Sequence, residues 1–423
     1  MEKPLTQNIH AGQEPLTITA YEKVGGYEGL RHAVQMTPQA VQEEVKKANL
    51  LGRGGAGFPT GVKWSVVPMG DKARYPKYFV VNADEMEPGT MKDRLLLEGD
   101  PHQIIEGAII SAYAIEANTA YIFLRWAYKL AAKRLQRAIA EAYEHHYLGK
   151  NILGSSFHLE MSIHTSAGRY MCGEETGLLN ALEGKRAIPR EKPPFPQVSG
   201  AFGNPTVVNN VETVSCIPHI IKNGWEWFRK LSHTDNGGTK LYGASGRVQH
   251  PGLWELPLGT TAREILQEYA GGMREGYQFR GVLPGGASTA FLQEDQLDVK
   301  MDFNEVEKVG SRVGTGTMIV MDDSVCPVGV LISLERFFAH ESCGWCTPCR
   351  EGLPWVRNTL EAIEAGHGQP LDMEVLEHHV QTVKMHHTFC ALAPGAMAPL
   401  ESALKYYRND FERHITEQRC PWR

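Results

Sequence analysis

The chain has 423 residues, of which 42% are apolar and 22% charged, and its formal net charge is −6. That length is too great for one ordinary hydrophobic core and predicts two or three domains; the composition is that of a folded protein. Lys and Arg are scattered among acids, so no broad basic face is available for nucleic acid.

The start, Met1-Glu2-Lys3-Pro4-Leu5-Thr6, has no apolar stretch resembling a signal peptide, which predicts a cytoplasmic protein. Residues 1–36 read as an irregular lead-in. Thr37 followed by Pro38 begins a helix, with Thr as N-cap and Pro in the first helical position. The helix runs through Val41 and Val45 to about Leu50, and the loop Gly52-Arg53-Gly54-Gly55-Ala56-Gly57-Phe58 follows at once. A buried strand is predicted from Lys77 to Val81, ending in Asn82-Ala83-Asp84-Glu85. A helix then follows near 101–116, a strand near 119–124, a helix near 127–145 and a strand near 157–163. Two more helices are expected near 174–183 and 209–222. Strands alternating with helices predict an α/β domain with a largely parallel sheet. The apolar run Ile104 to Ile115 is interrupted by Glu106 and falls short of the roughly 18–20 residues a membrane span needs. Any membrane association is therefore expected to run through partners.

The texture changes at Asn236-Gly237-Gly238. From Leu241 to about Asp323 come short strands, glycine turns and one helix, which opens on a capping box at Thr261-Ala262-Arg263-Glu264 and ends at Gly271-Gly272. This reads as a small α+β domain. From Val328 onward the pattern is helical except around the cysteines, and it predicts a small bundle.

Cys343, Cys346 and Cys349 fall at i, i+3 and i+6, a spacing that presents three sulfurs to three corners of a compact cluster. Gly344 permits the close turn and Pro348 stiffens it. Cys390 lies in the same helical region and is the natural fourth ligand of a [4Fe–4S] cluster. Structural zinc is the competing occupant, although its ligands more often come as two separated pairs. Cys172, Cys216, Cys326 and Cys420 are dispersed and read as ordinary buried thiols.

Gly52-x-Gly54-x-x-Gly57 has the letters of a dinucleotide fingerprint but follows a helix instead of a strand, so the usual context fails. Its backbone N–H groups can still approach a phosphate, with Arg53 and Lys63 adding positive charge; a plain flexible loop is the bland alternative. Phe58 offers a stacking face or ordinary core packing. The turn Asn82 to Gly89 sits at the C-terminal end of a predicted strand, where open α/β sheets bind ligands, and a merely solvated acidic turn competes with that reading. Glu174 and Glu175 are ordinary first-turn acids of a helix. Asn209 and Asn210 read as helix caps, and Lys192-Pro193-Pro194-Phe195-Pro196 as a stiff loop.

Taken together, the segments GRGGAGFPTGVKW (52–64), NADEMEPGT (82–90), GRYMCGEETG (168–177), KPPFP (192–196), NPTVVNNVET (204–213) and ESCGWCTPCREG (341–352) resemble the NADH-oxidising flavoprotein subunit of respiratory complex I, the F component of bacterial NADH–quinone oxidoreductase. The resemblance extends from about Gly25 to Tyr407. It implies an FMN-binding α/β domain after an N-terminal segment (1–236), a ubiquitin-like β-grasp domain (237–325) and a helical bundle with a [4Fe–4S] cluster (326–423). By the same resemblance Gly52, Arg53, Gly54, Gly55, Ala56, Gly57, Lys63, Asn82, Asp84, Gly173, Glu174, Asn209, Asn210 and Thr213 would line FMN. Glu85, Glu87, Glu175, Lys192, Phe58 and Phe195 would contact NADH/NAD+ or lie beside it, with Glu85 and Glu175 orienting the substrate. The sequence departs from the family at Arg125-Trp126-Ala127-Tyr128, where Arg-Gly-Glu-Tyr is usual, at Ser166, where Gly is usual, and at Gly177, where Ala is usual.

The implied activity is hydride transfer from NADH to FMN and single-electron transfer to the cluster, feeding a chain to quinone. Implied partners are a small thioredoxin-like [2Fe–2S] subunit and a large multi-cluster subunit, in a hydrophilic arm peripheral to the membrane. A diaphorase subunit of an NAD-linked hydrogenase or formate dehydrogenase is the rival enzyme. A non-catalytic zinc scaffold is the rival of another class.

Overall fold

The computed structural model describes residues 2–384 and 386–423. These form two compact units. The first comprises residues up to Met86, Met91–Leu241 and Glu255–Gly259; the second comprises Glu87–Thr90, Tyr242–Trp254 and Thr260–Arg423.

The first unit is built on four strands, β1 (Tyr78–Ala83), β2 (Thr119–Leu124), β3 (Glu160–Thr165) and β4 (Thr206–Asn210), in the order β3-β2-β1-β4. Every neighbouring pair is parallel. The chain leaves β1 towards β2 and returns later on the other side as β4, so the winding reverses between β1 and β4. At such a reversal the carboxyl ends of the strands open a crevice. Asn82 lies opposite Asn210 in register there.

Among the described residues ten α-helices belong to this unit: α1 (Ile18–Lys23), α2 (Glu28–Ala33), α3 (Pro38–Lys47), α4 (Thr60–Ser65), α5 (Lys92–Gly99), α6 (Pro101–Ala114), α7 (Lys129–Glu144), α8 (Glu175–Leu182), α9 (Val211–Asn223) and α10 (Trp225–Lys230). α3 starts as its sequence predicts, with the Thr37 side chain accepting from the Ala40 N–H behind Pro38. α6 is buried on nearly all sides, which explains why its sequence is apolar without a helical stripe. It packs closely on α9, because Gly107 leaves no side chain between its backbone and the Val214 carbonyl.

The lead-in is not irregular: α1 and α2 occupy it. Their anchor is Glu106, buried within α6, which accepts from the Tyr21 hydroxyl (2.7 Å), Tyr27 N–H (2.9 Å) and Leu30 N–H (3.1 Å). Each helix spans six residues, too few to display a helical period. α5 and β4 are likewise absent from the sequence pattern. β4 lies in the short stretch before α9, where only the helix is expected.

Most of the second sheet lies in the second unit. It is mixed, with β5 (Thr239–Ser245), β6 (Gly252–Pro257), β7 (Phe279–Leu283) and β8 (Thr317–Asp322) in the order β6-β5-β8-β7. β8 runs parallel to β5 and antiparallel to β7. The predicted capping box is present at the start of α11 (Ala262–Glu264), which continues as a π turn over Ile265–Tyr269. α12 (Phe303–Lys308) precedes β8. The rest is helical: α13 (Pro327–Glu341), α14 (Thr347–Glu364), α15 (Pro370–Thr382), α16 (Leu392–Tyr406) and α17 (Arg408–Glu417). Among the described residues, no helix is long and apolar enough to cross a membrane.

Candidate functional site

The glycine loop is a narrow excursion between α3 and α4. Its neck is closed by Gly52 N–H on the Phe58 carbonyl (2.9 Å) and Thr60 N–H on the Leu50 carbonyl (2.9 Å). Gly55 (φ +121°) and Gly57 (φ +68°) hold backbone angles that side chains resist. The loop rests on the end of β4, where a Cβ at Gly54 would meet the Asn210 side chain at 3.2 Å. Thr213 Oγ1 fixes it by accepting from Arg53 N–H (2.8 Å). The Arg53 side chain is wholly buried and donates to the carbonyls of Gly237 (2.7 Å) and Thr239 (3.2 Å). Its Nε and Nη1 meet no hydrogen-bond acceptor among the described residues.

Behind this loop lies a buried charge network that the sequence reading did not single out. Lys92 Nζ contacts Asp93 (2.7 Å) and Glu212 (3.0 Å), and Lys240 Nζ contacts Glu212 (3.2 Å). Asn210 joins it by donating to Asp93 (2.6 Å) and accepting from Lys92 (3.3 Å). Burial alone would depress Lys92, but Asp93 and Glu212 outweigh it and keep the ammonium charged. Burial brings Lys240 down to about 8, against the pull of Glu212. Arg53, Lys92 and Lys240 thus stand against the carboxylates of Asp93 and Glu212, with Glu85, whose carboxyl stands at about 7 and is only partly ionised near neutral pH, beside Lys92. The excess is positive, which suits an anionic ligand over the exposed glycine amides.

The acidic turn follows β1 directly. Asn82 donates to the Gly173 carbonyl (3.1 Å), and Ser166 Oγ donates to Asp84 (2.9 Å). Space is open around Gly173. Glu85 is buried; its carboxylate accepts from the N–H groups of Asp93 (2.8 Å) and Arg94 (3.1 Å) and from the Tyr128 hydroxyl (2.9 Å). Burial, with the Asp93 charge adding, lifts its carboxyl to about 7. Glu87 belongs to the second unit, where it accepts from Ser288 N–H (2.6 Å).

α4 and the proline-rich loop bring two cations to α8. Lys63 (2.6 Å) and Lys192 (2.9 Å) each bind one oxygen of Glu175. Lys63 also donates to the Val208 carbonyl (2.8 Å), while Trp64 beside it donates to Asn209 Oδ1 (2.9 Å). Burial would raise Glu175, yet the two lysines hold its carboxyl below the usual range. Glu174 caps α8 by accepting from Thr176 and Gly177 N–H (both 2.8 Å). Phe58 and Phe195 are 55% and 54% exposed, so neither is core packing. A cleft of about 530 Å³, lined by Glu183, Arg190, Pro194 and Phe202 among others, contains none of the predicted site residues.

In the second unit Cys346 is the N-cap of α14 and Cys349 lies in its first turn. Gly344 (φ +78°) makes the turn between them and Cys343. Phe389 N–H donates to Cys346 Sγ (3.2 Å), which brings the Cys390 segment to the same loop. Burial pushes the Cys349 thiol up to about 11; Ser342 opposes this, and nearby Cys343 and Cys346 add to it. Three sulfurs presented by one tight loop, with the Cys390 segment beside them, suit a cationic iron centre that draws thiolates together.

Residues 45–219 match the family described as the Nuo51 FMN-binding domain, and residues 329–414 match the NADH-ubiquinone oxidoreductase-F iron-sulfur binding region. The chain is 54% identical over 415 residues to the F subunit of NADH-quinone oxidoreductase of Escherichia coli K12, covering 98% of this chain and 93% of that protein. The F 2 subunit of Rhizobium meliloti is 51% identical over 422 residues, covering 100% and 99%. The F subunit of Streptomyces coelicolor is 46% identical over 409 residues, covering 97% and 90%. Among solved structures, a chain of an NAD+-reducing [NiFe]-hydrogenase in the H2-reduced state aligns with a TM-score of 0.82 at 33% identity, covering 98% of this chain and 67% of that one.

Proposed function

The chain belongs to the family of the F subunits of NADH-quinone oxidoreductase, and from that premise we infer how its residues divide the work. It is an NADH dehydrogenase subunit of a multi-subunit complex, with FMN and a [4Fe–4S] cluster as cofactors. Bound FMN would supply the chemistry that accepts a hydride's electron pair and passes electrons on singly, which would join a two-electron donor to a one-electron cluster and a chain to quinone.

The observation that carries the residue assignment is the exposed glycine backbone at the β1/β4 reversal, set over a buried excess of positive charge. Gly54, Gly55, Ala56 and Gly57 would present amides to the flavin phosphate, with Gly52, whose N–H closes the neck on the Phe58 carbonyl, and Arg53 and Thr213 holding the loop in place. Asn82, Asp84, Gly173, Glu174, Asn209, Asn210 and Lys63 would border the flavin. Phe58, Phe195 and Lys192 would flank the nucleotide, and Glu87 keeps that role on family resemblance alone. Glu175, ionised and clamped by two lysines, would orient NADH. Glu85 would act by position and charge. Cys343, Cys346, Cys349 and Cys390 would ligate the cluster.

The mixed sheet with its short helix is read as a ubiquitin-like β-grasp domain over 237–325, between the FMN domain (1–236) and the cluster-bearing bundle (326–423). A thioredoxin-like [2Fe–2S] subunit and a multi-cluster subunit are the proposed partners, in a cytoplasmic arm peripheral to the membrane. The hydrogenase likeness supports a diaphorase as the second reading, but relatives at 46–54% identity over nearly the whole chain favour the quinone-linked complex.

The test is a visible absorption spectrum of anaerobically purified protein before and after NADH. Flavin bands and a broad iron–sulfur shoulder, both bleached by NADH, are expected. A colourless protein after full cofactor reconstitution would overturn the assignment.

A further inference from the structure

Two of the dispersed cysteines are not isolated. One ligand atom each from Cys326, Glu364, His414 and Cys420 lies within 4.8 Å of all the others. The four come from separate places: Cys326 is the N-cap of α13, Glu364 ends α14, His414 lies in α17 and Cys420 follows it. Cys326 Sγ is 3.1 Å from Glu364 Oε2 and 3.3 Å from His414 Nε2, and those two atoms are 3.1 Å apart. A tetrahedral zinc site with bonds of about 2.0–2.3 Å has ligand–ligand edges of roughly 3.3–3.8 Å, so the cluster needs little adjustment to close on an ion.

The surroundings orient these atoms as a metal site requires. His414 Nδ1 lies 2.6 Å from the Asp410 carbonyl; a proton on Nδ1 leaves the Nε2 lone pair facing the cluster. Gly329 N–H reaches Cys326 Sγ at 3.3 Å and fixes its position at the start of α13. His414 is fully buried and Cys420 nearly so, and Trp422 stacks on the imidazole with ring centres 5.8 Å apart. Glu364 Oε1 accepts no hydrogen bond among the described residues, though Arg423 stands 3.6 Å away. Two sulfurs, one imidazole and one carboxylate make up a borderline-soft donor set that favours zinc over magnesium or calcium.

We propose that Cys326, Glu364, His414 and Cys420 bind one zinc ion, in a site distinct from the four clustered cysteines. All four positions are supplied by protein, so the site is closed and structural. Binding involves no redox change: the two thiols release their protons to solvent as the Zn–S bonds form. The ion fastens the segment after α17 to the start of α13 and the end of α14.

The test uses the full chain purified without chelators, with zinc and iron measured by plasma mass spectrometry and the zinc edge by X-ray absorption. About one zinc per chain is expected, with two sulfur neighbours near 2.3 Å and two nitrogen or oxygen neighbours near 2.0 Å. Cys420→Ser and His414→Gln should each lower zinc by roughly fivefold or more while iron stays unchanged. Cys346→Ser should lower iron and keep the zinc. Absence of zinc even after one equivalent is added, a shell without sulfur, zinc lost with Cys346→Ser, or a Cys326–Cys420 disulfide in peptide mapping would each overturn the proposal. If the ligand variants do not fold, the wild-type absorption edge alone decides it.

Discussion

At Glu85, burial and a neighbouring carboxylate change what one side chain does near neutral pH. Its carboxyl stands at about 7 in the fold, against an ordinary value of 4.5. The folded protein therefore keeps a proton that the unfolded one gives up near pH 4.5. The stability this proton contributes is complete below about 4.5, declines as pH rises and is gone above about 7. It is worth on the order of 3 kcal/mol. Glu85→Gln stays neutral throughout, so its urea midpoint should vary less between pH 5 and 7 than that of the wild type. The same variant should shift NADH or NAD+ affinity with iron content unchanged. Unaltered nucleotide kinetics would remove Glu85 from the site. Glu175 shows the opposite outcome, since two lysines at 2.6 and 2.9 Å overcome its burial and keep it ionised.

Among the elements, the contact of α6 with α9 depends on an absent side chain. A Cβ at Gly107 would strike the Val214 carbonyl oxygen, and one at Gly29 would lie 2.6 Å from that of Pro218. Gly107→Ala should therefore destabilise the first unit by about 1–3 kcal/mol through overpacking, despite the better helix propensity of Ala; thermal unfolding would measure it. Elements this strongly patterned were legible in advance. The start of α3 follows from Thr37-Pro38, the capping box from Thr261 and Glu264, and β2 has its expected bounds. α1, α2, α5 and β4 were not, since each is short and held by partners remote in sequence. Glu106 is the clearest example: it reads as an interruption of an apolar run, whereas its meaning lies in three donors about 80 residues away.

For the molecule as a whole, the glycine loop and the four cysteines belong to different compact units. Cys346→Ser should consequently remove iron absorbance while flavin bands remain and still bleach with NADH; loss of both would tie flavin binding to the cluster. The two groups of cysteines also differ in how much the sequence reveals. Three of the first group lie within seven residues, so spacing alone exposes them. Cys326 and Cys420 acquire significance only when α13, α14 and α17 bring Glu364 and His414 between them, and no spacing rule records that.

The carboxylate of Glu106 bears on how the protein is made. Synthesis proceeds from the N-terminus, so Tyr21, Tyr27 and Leu30 have left the ribosome before α6 emerges. An acid that would hold α6 back from the apolar interior therefore finds its three donors already synthesised when it appears. The segment from Tyr21 to Leu30 thus carries, ahead of α6 in the chain, the partners that the buried acid of α6 requires.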